Sequence, residues 1–199
     1  IAARNDDDPV MGRVYKYPSH MSALTANNNY SVIAVVDPDE EACKLARDKW
    51  NISKTYTSVQ KAFAEDSYDV AIVCTPPRQR KKLIEALPPL KAVVVEKPII
   101  DEEFPDHQEY LRLYKSISDV VQVNFWRRAD RTFRRLSKGL LEELIGEVQG
   151  GVILYGDGLH NNGIHLIDFI RMLVSDVDAV QVISDVEAKK TGPLPGDLQ

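Results

Sequence analysis

Hydrophobic residues occur along the first two thirds of the chain in short, uninterrupted runs that alternate with amphipathic stretches. Four runs rich in valine, isoleucine or both lie at residues 31–37, 69–74, 91–95 and 120–125. Unbroken runs of this length are typical of strands covered on both faces, as in a parallel sheet. Apolar residues at helical spacing predict the intervening helices, at 42–50, 57–65, 78–87 and 104–117. This alternation predicts an α/β fold with a doubly wound parallel sheet.

The pattern changes after about Asn124, where the alternation becomes less regular. The predicted elements of this part are a helix ending at Gly146, a loosely alternating stretch at 147–155, an amphipathic helix at 162–173 and a strand at 177–183. These elements indicate the start of a second α/β domain. We therefore expect a first domain at 1–121 and a second, incomplete one at 122–199.

Composition and charge narrow the classes of protein that fit. The chain has 199 residues, 44% of them hydrophobic, with 25 basic and 30 acidic side chains and a net charge of −5. No apolar run approaches the roughly 20 residues that span a bilayer, and a mildly acidic chain is not typical of a dedicated nucleic-acid binder. Cys43 and Cys74 form no CxxC motif and follow no secretory leader, which favours reduced thiols. We predict a cytoplasmic protein without a membrane or nucleic-acid partner.

Polar residues and prolines follow three of the predicted strands, at the edge where open parallel sheets bind ligands. Asp37 ends the first run, where a carboxylate either binds the ribose hydroxyls of an adenine nucleotide or forms a turn. The segment Thr75–Pro77 ends the second run, where prolines also form an ordinary rigid turn. Glu96 and Lys97 end the third. The lysine could position a substrate hydroxyl, although a salt-bridged strand end is the plainer interpretation.

A second group of candidate residues surrounds the last predicted helix. His165 and Asp168 are three residues apart and share a helical face, with Asn161 one turn earlier. An imidazole is suited to take a proton from an alcohol, although histidines also cap helices without any catalytic role. His160 and His165 are five residues apart, which does not match a zinc-binding pair, so no metal is expected.

Four motifs in sequence order resemble the Gfo/Idh/MocA family of oxidoreductases, named for glucose–fructose oxidoreductase and inositol 2-dehydrogenase. The motifs are Val-Val-Asp37-Pro, Thr75-Pro-Pro, Glu96-Lys-Pro-Ile and Gly163-Ile-His-Leu-Ile-Asp. The resemblance implies a Rossmann domain that binds NAD in preference to NADP, and a second α/β domain with an open sheet that contributes the substrate site. It also implies hydride transfer between nicotinamide and a secondary alcohol of a sugar, amino sugar or cyclitol. Homo-oligomerisation is a further expectation from the family.

The resemblance assigns roles to individual residues. The candidate catalytic residues are Lys97, which would reach the substrate hydroxyl, His165, the general acid/base, and Asn161. The candidate cofactor-binding residues are Ile1, Asp37, Thr75, Pro76, Pro77, Glu96, Lys97 and Asn124. The peptide bond between Lys97 and Pro98 would be cis, as it often is in this family.

This sequence also departs from the family's pattern. Asn161 occupies a position where family members usually have an aspartate, and an amide cannot share a proton. The basic segment Arg78–Lys82 replaces one that usually includes a histidine. No first strand with a G-x-G-x-x-G motif is found, and the chain begins at Ile1. We therefore expect truncation at both ends and weak or no nucleotide binding by the chain as written.

Three hypotheses remain open from the sequence. The preferred one is an oxidoreductase with a small-molecule sugar or cyclitol substrate. The second is a non-catalytic member that senses nucleotides or binds a partner, and the third is an incomplete piece of an ordinary enzyme. The five arginines between 127 and 135 either bind a phosphate or carboxylate of a substrate or form a solvated helix face.

Overall fold

The computed structural model describes residues 9–99 and 106–181. These residues group into two compact units. The first unit contains 9–96 and 106–122, and the second contains 97–99 and 123–181. Each unit is described by itself below. Among the helices described, none is long and apolar enough to cross a membrane.

Strands and helices alternate along the first unit. In chain order the elements are α1 (Met11–Val14), α2 (His20–Thr25), β1 (Ala34–Val36), α3 (Glu40–Trp50), β2 (Lys54–Tyr56), α4 (Val59–Glu65), β3 (Val70–Val73), α5 (Pro77–Glu85), β4 (Ala92–Val95), α6 (His107–Ile117) and β5 (Val121–Val123), of which Val123 falls in the second unit. The pairs β1–β2 and β3–β4 are parallel, and β5 lies on the other side of β4. The predicted α/β class with parallel strands is confirmed.

The core of this unit lies between the β3–β4 strands and the helices α5 and α6, which pack against each other. Val93 and Val95 on β4 and Ile84 on α5 are each 0% exposed. Ile117, near the end of α6, is also buried. Burial of one such side chain contributes about 1.5–3 kcal/mol, so these positions are a major source of stability for this sheet.

Local sequence signals explain where several helices begin. The Ser58 side chain caps α4 by accepting from the Lys61 amide at 3.3 Å. Asp39 and Asp106 cap α3 and α6 in the same way. Side-chain oxygens at these positions satisfy amide groups that have no partner within the helix.

The second unit is built from short helical segments in the residues described. After a 3-10 turn at Trp126–Arg128 these are α7 (Arg131–Arg135), a kinked segment (Leu136–Leu140), α8 (Leu141–Ile145), a π-helical turn (Leu159–Gly163) and α9 (Ile164–Leu173). The single helix predicted up to Gly146 is interrupted, because Gly139 has a φ of 112°. This positive φ breaks the helix between α7 and α8.

The strand predicted at 177–183 is wrong for residues 177–181, which belong to no regular element. Residues 182 and 183 lie outside the described part of the chain. Val177 and Val180 favour extended backbone, but Val180 is 86% exposed and the described residues supply no neighbouring strand. A strand forms only where another strand accepts and donates its backbone hydrogen bonds.

Candidate active site

The first group of candidate residues lies where strands of the first unit end. Asp37 directly follows β1, and its backbone amide donates to the Tyr56 carbonyl at 3.0 Å. Its carboxylate oxygen Oδ1 accepts from the Asp39 amide at 3.0 Å, which fixes the orientation of the carboxylate. The half-buried Thr75 follows β3 by two residues. Because β3 and β4 are parallel, Thr75 and Glu96 lie beyond the same edge of their sheet.

Glu96 has a partner that the sequence analysis did not identify. The Nε2 atom of His20, on α2, lies 2.7 Å from Glu96 Oε1, and both side chains are about four-fifths buried, with 21% and 19% exposed. Hydrogen bonds to Cys74 and then to Glu96 raise the pKa of His20 to about 10, although burial acts in the opposite direction. These contacts favour the protonated imidazole, and the pair with Glu96 links α2 to the end of β4.

The second unit brings Lys97 and Asn161 together. Lys97 Nζ donates to the backbone oxygen of Asn161 at 2.9 Å and to its side-chain oxygen Oδ1 at 2.7 Å. Asn161 lies in the π-helical turn that leads into α9. The peptide bond between Lys97 and Pro98 is cis, as the family resemblance implied. Two of the three candidate catalytic residues are therefore in direct contact.

His165 lies one helical turn after Asn161, near the start of α9. Its half-buried ring meets the ring of Phe125 edge to face, with 5.7 Å between the centroids. Further along the same face, the Asp168 carboxylate accepts from Arg128 Nε at 2.7 Å and 3.0 Å. Asn161, His165 and Asp168 thus follow one another at helical spacing. Their side chains contact Lys97, Phe125 and Arg128, respectively.

The arginine run divides into residues with described side-chain partners and residues on the surface of α7. Arg128 is exposed but pairs with the buried Asp168, and the half-buried Arg127 guanidinium lies 4.5 Å from the centroid of the Trp126 ring. Arginines 131, 134 and 135 are exposed on α7. Arg127 and Arg128 therefore contact side chains of the second unit, which a sequence run of like charges does not reveal.

The structure places the remaining candidates as follows. Pro76 is exposed and Pro77 is half-buried at the start of α5. Asn124 is half-buried in the second unit, and Ile1 lies outside the described residues.

Three neighbours of the candidates were missed from the sequence, namely His20, Arg80 and Phe125. Arg80 alone carried a signal, because it shares the apolar face of its helix with Ile84.

The strand-end residues fit two parts of a dinucleotide. The fixed carboxylate of Asp37 is suited to ribose hydroxyls, and the turn at Thr75–Pro77 offers an apolar wall beyond β3. The described residues 9–99 contain one glycine, Gly12, and a Cβ there would meet nothing within 4 Å. The described residues 9–99 therefore show no glycine-rich cradle for the pyrophosphate.

A parallel α/β unit with an acid after β1, a Thr-Pro turn after β3 and a glutamate after β4 has the features of a dinucleotide-binding domain of the Rossmann class. The sequence model of the Gfo/Idh/MocA family, described as an oxidoreductase family with an NAD-binding Rossmann fold, matches residues 11–125. The chain belongs to this family. The expected family, fold and NAD cofactor are thereby confirmed.

Similar proteins include dehydrogenases of cyclitols. The chain is 25% identical over 162 residues to the inositol 2-dehydrogenase/D-chiro-inositol 3-dehydrogenase of Halalkalibacterium halodurans, covering 73% of this chain and 45% of that protein. An oxidoreductase from Agrobacterium radiobacter, solved with NAD+, L-tartaric acid and magnesium, has a TM-score of 0.62 at 20% identity and covers 79% of this chain and 51% of that one. Scyllo-inositol dehydrogenase from Lactobacillus casei, solved with NAD(H) and scyllo-inositol, has a TM-score of 0.59 at 19% identity, covering 82% and 54%. The chain thus spans about half the length of these relatives.

Proposed function

We propose that this protein is an NAD-dependent dehydrogenase that oxidises a secondary alcohol of a cyclitol, sugar or amino sugar. The observation that carries the proposal is the contact of Lys97 with Asn161, one helical turn before His165. This arrangement gathers an ammonium donor, an amide and an imidazole in the second unit. The inositol dehydrogenase relative supports a polyol as the substrate class.

We assign cofactor binding to the first domain, 1–121, and the alcohol to the second, 122–199 together with Lys97. Asp37 would hold the adenosine ribose, because its fixed carboxylate accepts from two hydroxyls and repels a 2′-phosphate. The other proposed cofactor contacts are Ile1, Thr75, Pro76, Pro77, Glu96, Lys97 and Asn124. When bound, NAD supplies the hydride acceptor.

The chain's own residues handle the proton and the charge. Oxidation of the alcohol releases the hydroxyl proton, and His165 would accept it, since imidazole groups exchange protons near neutral pH. The Lys97 ammonium would donate to the substrate oxygen and stabilise the negative charge that develops on it. Ketone reduction uses the same groups in reverse.

Asn161 sets the position of Lys97 without competing for its proton. Its two oxygens accept from the ammonium, but an amide does not titrate in the way that a carboxylate does. Lys97 therefore stays a hydrogen-bond donor, and among these three residues His165 is the one suited to accept a proton. The substitution of asparagine for the family's usual aspartate is compatible with catalysis on this view.

Replacing Lys97 tests the proposal. In the full-length protein, Lys97→Met should lower kcat about 10²–10³-fold, the usual loss when one oxyanion donor is removed. The measurement is NADH formation with scyllo-inositol and a panel of other cyclitols and sugars. Lys91→Met is the matched control, because that side chain is 79% exposed and forms a surface ion pair with Asp69.

Wild-type turnover by the Lys97→Met variant on every accepted polyol would contradict the assignment. A full-length wild-type protein that binds NADH but oxidises nothing in the panel would favour the non-catalytic alternative, in which the fold senses nucleotides or binds a partner.

A further inference from the structure

Arg80 is a charged side chain in the interior of the first unit. It lies on α5 and is 1% exposed. Ile84 and Leu87, one and two turns further along this face, are also buried, at 0% and 9%. Charged side chains are almost never buried to this extent unless polar partners hold them. The partners of this guanidinium therefore determine what the residue does.

Two effects oppose a guanidinium at this position. Burial disfavours its charged form and lowers the pKa of Arg80. In addition, α5 begins at Pro77, so Arg80 lies in its first turn. This is the positive end of the helix dipole, where a positively charged side chain is unfavourable. Stabilisation of α5 as a helix therefore does not explain an arginine here.

The hydrogen bonds of Arg80 fasten the beginning of α5 to the end of β3. Its Nε and Nη2 atoms both donate to the Thr75 carbonyl, at 3.2 Å and 2.7 Å. Pro76, at the N-cap position, provides no side-chain cap, and proline has no backbone N–H to donate. The guanidinium therefore connects α5 to the turn that precedes it, and two donors on one carbonyl restrict the direction of that carbonyl.

The same guanidinium is held from two further elements. Tyr114, on α6, is 3% exposed; burial raises the pKa of its hydroxyl to about 12, and the charge and hydrogen bond of Arg80 act in the opposite direction. Glu96, at the end of β4, favours the charged form of Arg80 through its negative charge. Arg80 is thus hydrogen-bonded to Tyr114 of α6 and to Thr75 beyond β3, in the field of the Glu96 carboxylate, which connects the turn at Thr75 to the interior of the unit.

We propose that Arg80 is a positioning residue for dinucleotide binding, which acts through the Thr75 carbonyl to hold the Thr75–Pro77 turn in its binding conformation. The inference rests on the proposed function, because it takes this turn to be a wall of the cofactor site. Arg80 is buried beneath the turn and acts through Thr75. A pre-formed wall improves affinity, since binding then requires no further ordering of the turn.

The test compares three variants of the full-length protein in a fluorescence titration with NADH. Arg80→Gln, which removes the charge and one of the two donors, should raise the Kd about tenfold, or about 1.4 kcal/mol. Arg80→Lys keeps the charge but loses the paired Nε and Nη2 donors of the guanidinium. It should raise the Kd about threefold, or ~0.65 kcal/mol. Lys82→Gln is the control, because Lys82 is exposed on the same helix. The KM for NAD should rise in parallel while kcat changes less than about twofold.

A second measurement follows the turn in the protein without cofactor. The Gln79 amide donates to the Pro76 carbonyl at 3.1 Å, so its hydrogen exchange reports on the beginning of α5. Exchange at Gln79 should be faster in Arg80→Gln than in the wild type or in Lys82→Gln. Unchanged exchange would show that the guanidinium does not order the turn.

The outcomes separate this inference from the proposed function. A lower melting temperature and lower kcat with an unchanged Kd for NADH would mean that Arg80 is merely structural, which overturns the inference. If Arg80→Gln does not fold, the Kd for NADH is measured in Arg80→Lys and Tyr114→Phe instead. An unchanged Kd in both variants also overturns the inference. Failure of the wild-type protein to bind NADH would instead contradict the proposed function, and this inference with it.

Discussion

At the scale of single residues, His20 shows how neighbours outside the sequence motifs control a strand end. The motif Glu96-Lys97 suggested a local salt bridge, but the Glu96 carboxylate is 2.7 Å from an imidazole that is 76 positions away in sequence. A charged hydrogen bond of this kind, largely screened from water, contributes about 1.5–3 kcal/mol. The pair therefore stabilises the fold as well as the strand end.

The raised pKa of His20 predicts how stability depends on pH. A group whose pKa is higher in the folded state, here about 10 instead of 6.5, stabilises the fold fully below 6.5 and loses that contribution as pH rises through 10. The free energy of unfolding, measured in urea, should therefore fall as the pH rises from about 7 to about 10.5. This fall should be larger in the wild type than in His20→Gln, by roughly 1.5–3 kcal/mol. Equal losses in the two proteins would exclude His20 as the titrating group.

At the scale of elements, the entry into α9 positions the catalytic candidates. A Cβ at Gly163 would lie 2.8 Å from Leu159 Cδ1 and 3.0 Å from Tyr155 Cε2. Real Cβ atoms essentially never come within 3.0 Å of another atom, so a larger residue would force the Leu159 side chain, and to a smaller extent the Tyr155 ring, to shift beside the turn that carries Asn161. Glycine here allows the Tyr155 ring to pack against the turn.

Gly163→Ala should therefore lower the free energy of unfolding by about 1–3 kcal/mol, because its Cβ overpacks the turn. Chemical denaturation measures the loss. Gly150→Ala is the control, since a Cβ at Gly150 would meet nothing within 4 Å. Adding Leu159→Ala to Gly163→Ala should lower the free energy of unfolding by less than the two single changes add up to, and strict additivity would show that the Leu159 contact is not responsible.

At the scale of the whole molecule, cofactor binding and folding are coupled. A ligand that binds only the folded state at a hundredfold excess over its Kd adds about 2.7 kcal/mol to the free energy of unfolding. NAD at that excess should stabilise the full-length protein by this amount. NADP at the same concentration should stabilise it far less if Asp37 holds the adenosine ribose as proposed, because a carboxylate there would repel the 2′-phosphate.

Thermal unfolding with each dinucleotide measures this difference. In Asp37→Ser the preference for NAD over NADP should shrink, whereas Asp48→Ser, at an exposed position of α3, should leave it unchanged. Equal stabilisation of the wild type by NAD and NADP would exclude Asp37 as the residue that selects the cofactor.

Strands and helices were predictable from the sequence where the local spacing of hydrophobic residues determines them. The valine-rich runs predicted β3 and β4, and apolar residues at helical spacing predicted helices such as α4 and α6. The strand β2 (Lys54–Tyr56) was missed, because it is three residues long and is defined by its pairing with β1. The strand predicted at 177–183 is wrong for residues 177–181. These residues favour extended backbone, but the described residues supply no neighbouring strand with which they could pair.

The sequence by itself determined the family, the α/β class, the NAD cofactor and the order of the motifs, because these depend on residue types and their spacing along the chain. Only the tertiary structure decided which residues touch, as with His20 on Glu96, Arg80 on Thr75 and Lys97 on Asn161. The physical reason is that burial and hydrogen bonding between distant segments set the charge and orientation of a side chain, and these contacts exist only after the chain has folded.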